Sequence, residues 1–154
     1  MKKGIKTSQC DELGCFFSDW EIIRKFGFKL ISSEKEFSTI LGEYWVSTFS
    51  NENVYLKVRY YPKKGSLNEV VGLSVVNLKA EKGEKKFFLL QSYVEANRRE
   101  DYPSIDAYKE IDNLWTRLNL YLKDLEKYFS DKPIKDAIEG RKWLHVPFDW
   151  GPYK

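Results

Sequence analysis

The feature that most constrains this chain is a change of hydrophobic period along it. Val54, Leu56, Val58 and Tyr60 alternate with Tyr55, Lys57, Arg59 and Tyr61, the period of a strand with one buried face. Tyr108, Ile111, Trp115, Leu118, Leu122, Leu125 and Phe129 instead recur at intervals of three and four, the period of a helix with one apolar side. Elements of these two kinds bury their apolar sides against each other. The strand-like stretches are consecutive and joined by short polar turns. Tyr44 to Phe49 leads through Ser50-Asn51-Glu52-Asn53 into 54–61, Pro62 to Ser66 turns into a strand over 69–78, and a charged loop with Gly83 leads to Phe87 through Val94. Connections so short have no room for a parallel crossover. The expected fold class is therefore α+β: an antiparallel meander of four to five strands packed by a long C-terminal amphipathic helix, with a short N-terminal helix.

Ser18 and Glu21 have the spacing of a capping box, with Phe17 and Ile22 as its hydrophobic staple, which predicts a helix from about Asp19 to Lys25 ended by Gly27. Phe26, Phe28 and Leu30 then alternate as in a half-buried strand. Over 34–41 the pattern points two ways. Ser33 and Glu36 repeat the capping spacing and Phe37, Ile40 and Leu41 share a helical face, which favours a short helix, while the β-branched residues leave an extended reading open. On the long helix, Leu114, Tyr121 and Tyr128 widen the stripe, Ser104 is the expected N-cap, and Pro133 stops the helix or starts a second one through Ile138 to Gly140. Residues 1–12 are polar and aperiodic, as in a flexible arm, and no Pro/Gly/Ser-rich linker divides residues 1–154, so one domain is expected.

Composition narrows the function classes. With 42% hydrophobic and 16% aromatic residues the chain is too rich in core formers to be disordered. Its 26 basic and 23 acidic side chains are interleaved, and a net charge of +3 without a basic block argues against a dedicated nucleic-acid binder. Cys10 and Cys15, with four residues between them, match no zinc spacing and read as two reduced thiols, so no metal is expected. No apolar run approaches the roughly 20 residues of a membrane span, and no signal-like segment follows Met1, which together suggest a cytoplasmic protein with no membrane partner. Glycine-rich phosphate loops are missing, so no cofactor is expected. His145, the one histidine, lies in the tail without a second ligand or a nucleophile motif beside it, so no catalytic residue is assigned.

The polar side of the hairpin stands out. Tyr55, Lys57, Arg59 and Tyr61 project together because strand side chains alternate, and rings interleaved with cations can grip a partner's acidic surface or stack on bases. Trp143 and Trp150 in the aromatic tail complete the candidate partner-binding residues, although tail aromatics more often close a core.

The order helix, F-G-F strand, E-Y-W-V, the hairpin N-V-Y-L-K-V-R-Y-Y and a long C-terminal helix, spanning residues 17 to 130, resembles in layout the small bacterial α+β immunity proteins of polymorphic toxin systems. The resemblance implies a protein without an active site that neutralises a toxin or enzyme through a surface. Immunity proteins opposing basic nucleases are often acidic, so the slightly basic balance here speaks against a nuclease partner. The leading expectation is a non-enzymatic protein-binding module. The alternatives are a small ligand-binding domain or enzyme with a site assembled from dispersed residues, and, last, a nucleic-acid binder using the aromatic and basic strand face.

Overall fold

The computed structural model describes residues 9–79, 86–98 and 101–143. Two short helices, α1 (Gln9–Ser18) and α2 (Glu21–Lys25), precede β1 (Lys29–Ser38), β2 (Gly42–Ser50), β3 (Val54–Tyr61), β4 (Val70–Asn77) and β5 (Phe87–Leu89). The chain continues through α3 (Leu90–Tyr93), α4 (Leu114–Leu125) and α5 (Lys132–Ile138). The five strands pair in sequence order, all antiparallel, which is the expected meander of an α+β fold. Among the described residues no helix is long and apolar enough to cross a membrane.

Alternation divides the sheet into two faces. Val54, Leu56, Val58 and Tyr60 of β3 are buried, beside Phe49 of β2 and Val71, Leu73 and Val75 of β4. On this inner face they join one cluster with Phe17, Ile22 and Ile23 from the N-terminal helices, Leu118, Tyr121, Leu122 and Leu125 from α4, and Ile134 and Ile138 from α5. The contact of α1 with the sheet is close because the residues there are small. A Cβ on Gly14 would stand 3.0 Å from the Ser33 side chain, and Ser33 lies opposite Ser47 on β2.

Both short helices that end in glycine close the same way. Gly27, at φ +70°, follows α2, and the amides of Phe28 and Gly27 reach back to the carbonyls of Ile23 and Arg24; Gly140, at φ +79°, does the same for α5 with the carbonyls of Asp136 and Ala137. Pro133 stands in the first turn of α5, where its missing N–H leaves no bond unmade.

Five local expectations are corrected. The capping box at Ser18 does not form: Ser18 ends α1 and donates to the Gly14 carbonyl, while α2 follows Trp20 with no side-chain cap, and Phe17 and Ile22 both enter the core. Residues 9–12, expected in the arm, belong to α1. The short helix favoured over 34–41 is instead the second half of β1 and a hairpin turn. There the Ser38 hydroxyl accepts from the amides of Ile40 and Leu41, Gly42 takes φ +81°, and Phe37 and Ile40 are 69% and 79% exposed, so the supposed helical stripe has no core to meet. The last strand stops at Leu89, because Leu90, Tyr93 and Val94, at helical spacing, are the residues buried there.

The long helix is shorter than its stripe. Ser104 does cap a turn, but only the single 3-10 turn Ile105–Tyr108. Asn113 then takes the N-cap of α4, its side-chain oxygen accepting from the Thr116 amide at 2.9 Å. Asparagine offers the backbone this bond only outside a helix, so a continuous helix from 108 loses to a fresh start at Leu114. From there the chain stays helical to Ser130, the last turn in 3-10 form.

Candidate surface on the open sheet face

The face of the sheet opposite the helices carries Tyr55, Lys57, Arg59 and Tyr61, each half-buried by its strand neighbours. Register extends the set. Tyr44, Val46, Thr48 and Ser50 of β2 lie on the same face, as do Val70, Gly72, Ser74 and Val76 of β4, with Phe87 and Leu89 paired to Val76 and Ser74 from β5. Tyr44 stacks on Tyr61 with ring centroids 4.7 Å apart, and its hydroxyl donates to Glu36 at 2.7 Å. That bond, more than burial, holds the Tyr44 phenol above its ordinary pKa. Val70, Phe87 and Leu89 are exposed. The result is a band of rings and aliphatic side chains with two cations in its middle.

Among the described residues neither cation is held in an ion pair, unlike three cations of the helical segments. Arg98, Arg117 and Lys132 pair with Asp131, Glu69 and Asp136. Arg59 instead donates to the Ser74 hydroxyl at 3.2 Å, and among the described residues neither it nor Lys57 has a carboxylate within ion-pair distance.

The structure brings four of the six sequence candidates together and separates a fifth. Trp143 packs on Phe88, an inner-face residue of β5, with centroids 5.4 Å apart, and lines a cleft of about 510 Å³ with Tyr93, Asn97, Pro133 and Asp136. It therefore lies on the helical side of the sheet. Trp150 and His145 lie outside the described residues. Cys15 is exposed and free. Among the described residues no three His, Cys, Asp or Glu side chains gather as a metal ion would need.

Sequence reading missed Tyr44, whose place beside Tyr61 follows only once the β2–β3 register is known. It also missed a polar cluster where the sheet meets α4. There two guanidinium nitrogens of Arg117 reach both carboxylate oxygens of Glu69, at 2.8 and 2.9 Å, Tyr60 donates to the same carboxylate, and the third guanidinium nitrogen donates to the Ile111 carbonyl at 2.7 Å. Forty-eight residues separate the acid from the arginine, so no local pattern announces the pair. Both carboxylate oxygens are engaged, which makes the cluster a clamp between β4 and α4.

Burial, together with Glu69, raises the Tyr60 phenol, and burial likewise raises Tyr102 and Tyr121. A phenol whose folded pKa exceeds its unfolded value of about 10 contributes stability that is fully present below that pH and lost as pH rises above it. The expected result is that these three phenolates form together with unfolding, not before it. Phenolate absorbance and circular dichroism recorded on one alkaline titration check this; phenolate from these positions in a chain that still gives folded dichroism would refute it, and Tyr60→Phe identifies that residue's share.

Comparison of the chain with models of known protein families, with curated proteins and with solved structures finds no match.

Proposed function

We propose that this chain is a non-enzymatic protein-binding module that works as an immunity or inhibitor protein, masking a toxin or enzyme with the open face of its sheet. The observation that supports the reading is the placement of Tyr55, Lys57, Arg59 and Tyr61 on the one sheet face against which no described helix packs, extended by Tyr44, Val70 and Phe87, while the described helices pack on the other. Rings that are rigid and amphipathic, standing among cations, are the residue types that carry binding energy at protein interfaces. An antiparallel sheet tolerates one face without a helix layer, so the absence of a described helix here costs the fold little.

A photo-crosslinking amino acid placed at Tyr55 or Tyr61, with exposed Leu120 of α4 as control, tests the surface in the native cells. We expect one protein adduct from the two sheet positions and none of it from Leu120, and we expect the captured protein to lose its activity at one equivalent of the chain. Identical adducts from all three positions would remove the sheet face as the binding site. An adduct whose activity is untouched would remove the inhibitory role.

A further inference from the structure

We infer that the partner meets this face with carboxylates, seated on Lys57 and Arg59. The inference rests on the sheet-face reading above and specifies the chemistry of what docks there. Lys57 lies in register with Thr48 and Ser74, and Arg59 with Val46 and Gly72, so both cations stand in the middle of the band, between the Tyr44–Tyr61 stack and Tyr55. In the structure both are half-buried, with part of each side chain still exposed. A covering partner strips the water from that part, and a cation buried without a counter-charge is disfavoured strongly enough to cancel much of an interface. Neither forms an ion pair with a described carboxylate, and Glu34, the nearest acid in the cross-strand row of Arg59, is two strands away, so a carboxylate brought by the partner supplies the missing contact.

The backbone leaves room for it. Gly72, paired with Arg59, carries no side chain, and a Cβ built there would meet no heavy atom within 4 Å, so the space beside the Arg59 stem is open. The buried Ser74 hydroxyl accepts from Arg59 and so holds its guanidinium toward the strand position paired with Lys57. A carboxylate seated over Lys57 and Arg59, two residues apart on one face, can accept from the guanidinium and the ammonium together, charge-assisted bonds of the stronger kind. The rings at either end of the strand, about 20 Å apart at the rise of an extended chain, suit apolar side chains flanking the acid.

A protein carboxylate fits better than a nucleic-acid backbone. Glu34 and Glu36 of β1 lie on this same face, in register with Val46 and Tyr44. A string of phosphates laid across the sheet would meet that acidic edge after crossing the cations. A single acidic side chain, or two adjacent ones, need not.

The deciding experiment repeats the Tyr55 crosslink in three backgrounds: wild type, Lys57→Met with Arg59→Met, and Lys57→Glu with Arg59→Glu. The expected yield falls about tenfold or more on charge reversal and by less on neutralisation, and the crosslinked partner peptide carries Asp or Glu near the adduct. Equal yield in all three backgrounds overturns the carboxylate seat and leaves the surface standing, whereas absence of any adduct in all three overturns both. In parallel, hexaglutamate and hexathymidylate are titrated into the wild-type chain by NMR. Shifts at Lys57, Arg59 and Ser74 with hexaglutamate, lost on charge reversal, support the seat; stronger binding of the oligonucleotide at the same residues overturns it in favour of nucleic acid.

Discussion

Replacing Arg117 with methionine should lower the unfolding free energy by about 3 to 5 kcal/mol, a large share of the whole for a chain of this size. The side chains of Arg117 and Glu69 are only 16% and 10% exposed, so the carboxylate left behind cannot be rehydrated without opening the junction of β4 and α4. The hydrogen bonds to Glu69 also raise the already high pKa of Arg117, so its charge is present at every pH at which the chain folds. The loss comes from the stranded acid, not from the missing attraction alone, and that origin can be isolated. Glu69→Leu combined with Arg117→Met should recover most of the loss, because no uncompensated charge then remains. Denaturant midpoints of the two single variants and the double variant decide the matter. Additive losses in the double variant, or a loss below about 1 kcal/mol in Arg117→Met, would class the pair with exposed ion pairs instead.

The clamp also explains which parts of the fold were legible. The alternation of β3 is local information, and every residue from Val54 to Tyr61 takes the face that alternation assigns. The glycine ends of α2 and α5 are local too, since a left-handed residue closes a helix whatever the rest of the chain does. What failed was decided at a distance. Ser18 and Glu21 had the spacing of a cap, yet α1 runs up to Ser18 because Leu13 and Phe17 find the core and Gly14 allows contact with Ser33. Residues 34–38 became strand, with 39–41 as the hairpin turn, because β2 offers a partner at each position from Glu34 to Ser38, which outweighs a marginal helical stripe.

The candidate surface divides along the same line. That Tyr55, Lys57, Arg59 and Tyr61 share a face could be read from residue parity. Which face the helices would cover could not, because it follows from α1, α2, α4 and α5 all delivering apolar side chains to the inner side. Trp143 shows the converse: an aromatic near the chain end has no parity to read, and its contact with Phe88 places it on the helical side.

Phe129→Ala should be the other most damaging single change, costing about 3 to 5 kcal/mol. Phe129 is fully buried at the end of the helical run that follows α4, with the Trp20 ring edge-on at 5.5 Å and the Phe26 ring at 6.4 Å. Trp20 is further tied to the same turn by its indole N–H, which donates to Glu126 at 3.1 Å. Removing the ring therefore opens a cavity at the place where the segment around α2 is pinned to the C-terminal helices, and hydrogen exchange should accelerate first at Ile22 and Ile23. Phe129→Leu keeps most of the volume and should cost less than half as much. Because the cavity lies on the helical side of the sheet, amide signals of Tyr55, Lys57 and Arg59 should stay in place while the variant remains folded. A loss below about 1 kcal/mol, or exchange that accelerates uniformly across the sheet, would mean that the N-terminal helices are held by other contacts.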